Sequence, residues 1–301
     1  MNGSEIDSNP LFIVTLDNRV DFCAELLNTS GEPSASEREK AADLKRVVFE
    51  GITTAIENGL AKSNVGIWAD SDLGESVLLR ARSMSMTTVA SPGNGTHSLG
   101  KLNVDYTGVQ LTFNPDSPKE TRNELLNRLK IVSDRARDES MPLLIELGAT
   151  PTPTQIEMCG SAIEARSMSL LSAVQQLQDS GVEPAVWVFE PVADATYTAA
   201  IAAQVHLDDR YHTRMMLVVS GNLAPGHVGP GLSESERQVV KLAARTHGVD
   251  GLLIGPGAYY RHLVRLNEGL IERHEAIGAI ASHLNESNEL FERSHAASKA
   301  L

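Results

Sequence analysis

Short apolar runs alternate along the chain with longer segments whose apolar residues recur every three to four positions. The runs predict eight strands, at Leu11–Leu16, Asn64–Ala69, Met84–Ala90, Gly108–Phe113, Pro142–Gly148, Ala185–Glu190, Met215–Ser220 and Gly251–Gly255. Most lack the alternation of a half-solvated strand, which is the pattern of strands buried on both faces. Between them, "SEREKAADLKRVVFEGITTAIENG" sets Leu44, Val47, Val48, Ile52 and Ile56 on one helical stripe and closes at Gly59. Arg122–Arg137 and the long Thr154–Asp179 segment follow the same periodicity. Ser233 and Glu236 have the spacing of a capping box, predicting a helix that Gly248 ends.

Strand and helix patterns alternating through the chain predict an α/β fold, a (β/α)₈ TIM barrel, in preference to a doubly wound open sheet. No composition shift divides the sequence, so residues 1–301 are expected to form a single barrel domain. The tail "EGLIERHEAIGAIASHLNESNELFERSHAASKAL" adds one or two closing helices and suggests a subunit contact in a homo-oligomer.

Composition narrows the partners. Of 301 residues, 42% are hydrophobic and 22% charged, enough apolar material for a sizeable core. No apolar run approaches the roughly 20 residues that span a bilayer. The start, "MNGSEIDSNP", has neither a basic segment nor an apolar one, so a cytoplasmic location is expected. A net charge of −13 argues against nucleic acid and anionic membranes as partners, while leaving helix N-termini able to hold a phosphate. Cys23 and Cys159 have no ligand-like spacing and read as ordinary thiols. The nine histidines form no metal motif, and neither a metal nor a cofactor is expected.

In such barrels the chemistry sits where the strands end. The first predicted strand ends at Asp17, Asn18 and Arg19, the second at Asp70 and Asp72, and the fourth at Asn114 and Asp116. The fifth carries Glu146, the sixth Glu190, and the seventh Ser220, Asn222 and His227. Each has a plainer alternative. Asp70 can cap the next helix, "NPD" is a turn signal, Asp17 and Arg19 can brace each other, and His227 can be a solvated loop histidine. Glu146 and Glu190 are harder to set aside, because a carboxylate closing an apolar run is costly unless paired or used. Asp17, Asp70, Glu146 and Glu190 together would make an acidic cup suited to proton transfer or to a hydroxyl-rich ligand. Gly255 and Gly257, after the last strand, are candidate amide donors to an anion. "ASPGNGTHSLGK" is either a lid or a flexible loop.

The stretches "TLDNR", "VGIWADSDLG", "LTFNPD", "LLIELGATP", "AVWVFEP" and "GLLIGPGAYYRHLVRLNEG" resemble the class I aldolase-type barrels. The nearest resemblance is to the barrel domain fused behind the inositol-catabolism kinase (5-dehydro-2-deoxygluconokinase), with tagatose-bisphosphate aldolase more distant. The resemblance implies aldol chemistry on a sugar- or cyclitol-derived substrate, often phosphorylated, through a lysine Schiff base. Where that family has lysine between the aromatic residue and the glutamate of the sixth strand, this chain has Val188 between Trp187 and Glu190. The arginine expected after the last strand is replaced by Pro256, and the third-loop motif reads "ASPGNG". A Schiff base needs an amine, so a lysine-free mechanism is expected, with Glu190, Glu146 and Asp17 as catalytic groups. Arg19, Asp70, Asn114, Ser220, Asn222, His227, Gly255 and Gly257 are the expected substrate contacts. Two alternatives stay open: Lys101 substituting for the missing lysine, and a catalytically degenerate barrel acting as a ligand sensor or partner subunit.

Overall fold

The computed structural model describes residues 9–17, 21–91, 102–138, 141–221 and 231–299. Eight parallel strands close into a barrel in chain order: β1 Leu11–Leu16, β2 Val65–Asp70, β3 Thr87–Ser91, β4 Tyr106–Thr112, β5 Leu143–Gly148, β6 Val186–Phe189, β7 Arg214–Val219 and β8 Gly251–Ile254. Closure runs through β1 and β8, with Leu11 opposite Gly251 and Val14 opposite Ile254. After β1 comes α1 Ala35–Glu57, after β2 α2 Glu75–Ser83, and after β4 α3 Lys119–Asp138. β5 is followed by α4 Pro153–Cys159 and α5 Ala162–Asp179, β6 by α6 Ala195–Val205, and β7 by α7 Glu234–Arg245. Two closing helices, α8 Tyr260–Asn267 and α9 Arg273–Lys299, follow β8. The (β/α)₈ expectation is met.

The unalternating strands have a direct cause. One set of side chains, including Ile13, Trp68, Val89, Leu144, Val188, Met216 and Leu253, fills the inside of the barrel. The other set, including Val14, Ile67, Ala90, Ile145, Phe189, Leu217 and Ile254, packs against the helices. Both faces are therefore apolar. Trp68 is fully buried in the interior and needs room across the barrel. Gly108 on β4 provides it, since a β-carbon there would collide with the indole ring.

The helices differ from expectation at two places, the first being α7, which ends at Arg245 with Thr246 as its cap, ahead of Gly248. The segment predicted as one helix over Thr154–Asp179 is two, because Gly160 turns left-handed (φ 81°) and Ser161 starts a new helix by accepting from the Glu164 amide. The third strand begins at Thr87 instead of Met84, because α2 extends to Ser83 and Ser85 takes a positive φ of 58°. β6 and β7 each stop one residue early, leaving Glu190 and Ser220 just beyond the ladder. α9 lies against α1 and α7 and carries a buried stripe of Ala276, Ile280, His283, Leu284, Ser287 and Phe291.

Gly108→Ala is expected to overpack the interior and lower unfolding free energy by about 1–3 kcal/mol, read from urea denaturation. An unchanged midpoint would mean that the Trp68 ring has more freedom than this packing allows.

Candidate functional site

The rim of the barrel is built from strand ends, and most of its charges have been answered by neighbours. Asp70 is 2% exposed. One carboxylate oxygen accepts from the amides of Asp72 at 2.9 Å, Leu73 at 2.7 Å and Gly74 at 3.3 Å, closing the turn ahead of α2, whose N-cap Gly74 makes no side-chain cap bond. The other meets the ammonium of Lys45, which is 1% exposed and also donates to the Leu16 carbonyl at 2.7 Å. Phe22 lies with its ring centroid 4.9 Å from the same ammonium. Lys45 is on α1, so periodicity assigns it to a helix. Its long stem nevertheless carries the amine to the ends of β1 and β2, and proximity to the rim is not something a strand map can show. Asp70 is thus held by a buried ion pair and by the turn that follows it, and it does not cap α2.

Asn114 is similarly engaged. Its amide donates to the Thr150 carbonyl at 2.8 Å and to Gln155 at 3.0 Å, while its oxygen accepts from the Asp116 amide at 2.9 Å. This is the turn reading of "NPD", extended into a tie between the β4 loop and the capped start of α4. Glu190 does not end a buried strand. β6 stops at Phe189, the Glu190 side chain is 49% exposed, and Arg166 of α5 meets it at 3.0 Å. The same guanidinium donates to the Pro191 carbonyl at 3.0 Å. The desolvation that made Glu190 conspicuous in the sequence is largely absent, because the carboxylate is half in water and paired.

Glu146 is different. It sits within β5, is 6% exposed, and accepts from Gln110 of β4 at 3.2 Å. In the ladder its neighbours are Gln110 on one side and Val188 on the other. Val188 is completely buried among the interior side chains. The position where the resemblance expects an amine is therefore apolar, and a buried carboxylate stands beside it. Asp17, 4% exposed, follows β1 and continues the inward alternation of Leu11, Ile13 and Thr15.

A cleft of about 810 Å³ opens over β6–β8. Glu190, Ser220 and Gly257 line it, together with Arg166, Tyr260 and Arg261. Of the expected site residues, these three come together. Asp70 and Asn114 are used in their own loops, and Glu146 lies inside the barrel. The amides proposed for an anion are already engaged: Gly255 donates to the Val219 carbonyl at 2.8 Å and Gly257 to the Ser220 carbonyl at 2.7 Å. Arg19, Lys101, Asn222 and His227, with most of the "ASPGNGTHSLGK" loop, lie outside the described residues.

Ser220 anchors a cluster that strand and helix patterns did not connect. Its backbone is left-handed at φ 57°, and its hydroxyl reaches two partners, the Glu236 carboxylate and His283 Nε2 at 2.9 Å. Nδ1 of His283 faces the Gly231 carbonyl at 3.2 Å. Glu236 had been legible only as the third residue of the capping box, a role it also fills by accepting from the Ser233 amide at 2.7 Å. His283 had one signal in the sequence, its place on the apolar stripe of the last helix. Burial acts to raise the Glu236 carboxyl pKa. The hydrogen bonds from Ser220 and Ser233 and the nearness of His283 outweigh it and hold the pKa below the ordinary carboxylate value. Among the described residues no group of three or more His, Cys, Asp or Glu is arranged to hold a metal ion. No described helix is long and apolar enough to cross a membrane.

No family model and no curated protein matches the chain. Among solved structures it is similar to Cgl0159 from Corynebacterium glutamicum, at 14% identity and a TM-score of 0.53, over 92% of this chain and 87% of that one. It also overlaps GGGPS from Thermoplasma volcanium at 9% identity and a TM-score of 0.47, over 93% of each chain. Phospho-2-dehydro-3-deoxyheptonate aldolase from Thermotoga maritima overlaps at 14% identity and a TM-score of 0.43, over 98% of this chain and 70% of that one. At these identities the likeness is one of barrel fold.

Two measurements probe the rim. Lys45→Met strands the Asp70 carboxylate in the interior and is expected to cost about 3–5 kcal/mol in urea unfolding, with Asp70→Asn in the same chain restoring part of the loss. Strict additivity of the two substitutions would deny the pairing. Because the Glu236 pKa is depressed, its contribution is present above the unfolded-chain value and lost as pH falls through the folded one. The thermal midpoint of Glu236→Gln should therefore lie below wild type at neutral pH and converge on it as pH falls below the ordinary glutamate value of about 4.3. A constant gap would remove Glu236 from the titration.

Proposed function

We propose that this barrel is an aldolase-like enzyme acting on a hydroxylated, sugar- or cyclitol-derived substrate by carboxylate proton transfer, without a Schiff base. The observation that carries the reading is Glu146, buried beside Val188 at the position where the related barrels would hold their amine. A carboxylate kept inside an apolar barrel at that cost is a group suited to acid–base work. Lys45 does not replace the missing amine, because its ammonium is committed to Asp70 and the Leu16 carbonyl. Lys40, Lys62, Lys119, Lys130, Lys241 and Lys299 lie on helices or ahead of β2 and are exposed or half-buried. In this reading Glu146 moves the proton, Asp17 holds a substrate hydroxyl, and Ser220 with Glu190 and Gly257 borders the cleft that admits the rest of the molecule. Arg19, Asn222 and His227 belong to the same proposed set of contacts. The relationship to the barrel fused to the inositol-catabolism kinase and to tagatose-bisphosphate aldolase is part of this proposal, as are a phosphorylated substrate, a cytoplasmic location and a homo-oligomer.

A second reading draws on the neutralised rim. Asp70 with Lys45, Asp72 with Arg38, Glu190 with Arg166 and Asn114 with Gln155 leave few strand-end groups unengaged. That is how a barrel retained as a ligand sensor or partner subunit would settle once turnover no longer mattered.

Incubating the protein with a panel of keto-sugar phosphates and borohydride separates these readings. The enzyme reading expects turnover of at least one compound, no covalent adduct by intact mass, and a loss of at least a hundredfold in turnover for Glu146→Gln. A borohydride-trapped adduct would refute the lysine-free mechanism. Thermal stabilisation by a compound that is never converted would favour the sensor.

A further inference from the structure

The cleft over β6–β8 is lined by Glu190, Glu234 and Glu236 and by Arg166, Arg261, His262 and His283. What it can hold depends on which of these charges are already engaged. Arg166 is engaged by Glu190 at 3.0 Å and by the Pro191 carbonyl. Glu236 is answered by His283. Ser220 has a single hydroxyl proton and donates it to the Glu236 carboxylate, so its oxygen can only accept from Nε2 of His283 at 2.9 Å. Nδ1 faces the Gly231 carbonyl at 3.2 Å, which also only accepts. Both ring nitrogens therefore donate, and the ring is an imidazolium joined to Glu236 through the serine. Glu234 is exposed at the start of α7, where it accepts from the Gln238 side chain at 2.7 Å and is screened by water and salt.

Arg261 is left over. It lies in the first turn of α8, is half-buried, and makes no hydrogen bond or ion pair with another described residue. A guanidinium offers a planar fork of donors that matches the two oxygens of a carboxylate, and partial removal from water strengthens such a bond. His262, next in the chain, adds a basic side chain to the same wall.

The rest of the lining sets the size and charge of a ligand. Ile163, Val239, Val264 and Tyr260 provide apolar surface, and about 810 Å³ is room for an organic molecule, well beyond a lone ion. The amides that could seat a phosphate, those of Gly255 and Gly257, already donate to the Val219 and Ser220 carbonyls. One uncommitted guanidinium among three glutamates suits a single negative charge and disfavours a dianion.

We propose that this cleft binds an organic monocarboxylate with an apolar body. The Arg261 guanidinium holds the carboxylate, and the body lies against Ile163, Val239, Val264 and Tyr260. The site goes beyond proton transfer by Glu146 and does not depend on it, because Glu146 sits within β5 and is absent from the cleft lining.

Isothermal titration of the full chain with 3-phenylpropionate, 3-phenylpropionamide and inorganic phosphate tests this. The expected result is saturable binding of one carboxylate per chain. The amide, which keeps the body and loses the charge, should bind about tenfold or more weaker, and so should phosphate. Arg261→Met should weaken the carboxylate by about tenfold or more while its circular dichroism matches wild type. Glu146→Gln should bind it as wild type does, so failure of the carbon–carbon reaction would leave this binding intact. Absence of saturable heat with the carboxylate overturns the proposal. So does equal affinity for the amide or for phosphate, or an Arg261→Met chain that binds like wild type. Should that variant fail to fold, the three probes compared on the wild-type chain decide by themselves.

Discussion

A parallel sheet that closes on itself leaves the chain very little freedom in where to put polar groups. Eight strands run the same way around the barrel, and the closing pair sets Leu11 against Gly251, where any side chain on β8 would run into the Leu11 backbone. Once closed, the interior is filled by Ile13, Trp68, Leu144, Val188, Met216 and their neighbours, and the outer faces are covered by helices. A carboxylate or hydroxyl then has one affordable region, the strand ends, where water, helix starts and long side chains from outside can reach it.

The rim shows three ways of meeting that constraint. Asp70 is neutralised by a lysine brought in from α1 and by the amides that follow it. Glu190 escapes the problem by standing half in solvent beside Arg166. Glu146 and the Ser220 cluster are buried among side chains from neighbouring elements. Glu146 is enclosed with Gln110 as a hydrogen-bond donor, and Ser220 is bent out of the ladder to meet two titratable side chains from different helices. The first two are arrangements that hold a fold together. The last two keep polar groups buried, Glu146 within β5 and Ser220 just past the end of β7.

Tyr259 illustrates how the closing elements are tied to this rim. Its ring is fully buried and its hydroxyl donates to the Thr15 carbonyl at 2.8 Å, joining the segment after β8 to the end of β1. α9 then packs on α1 and α7 and brings His283 to the end of β7. The terminal helices that read in sequence as a cover therefore also bring a buried histidine to the mouth.

The sequence by itself determined the barrel, because unalternating apolar strands joined by amphipathic segments admit few other ways to bury both faces. It also pointed to the enclosure of Glu146, a carboxylate that closes an apolar run and is 6% exposed. It overvalued Glu190, whose burial depended on where β6 stops, a matter of ladder geometry that a run of apolar letters does not fix. Tertiary structure alone decided that Lys45 neutralises Asp70, that Arg166 faces Glu190, and that Ser220, Glu236 and His283 meet. Those partners are separated by 16 to 63 residues in the chain. Periodicity reports which face of an element is apolar. Which side chains from separate elements reach one another is set only when the barrel closes and the helices dock.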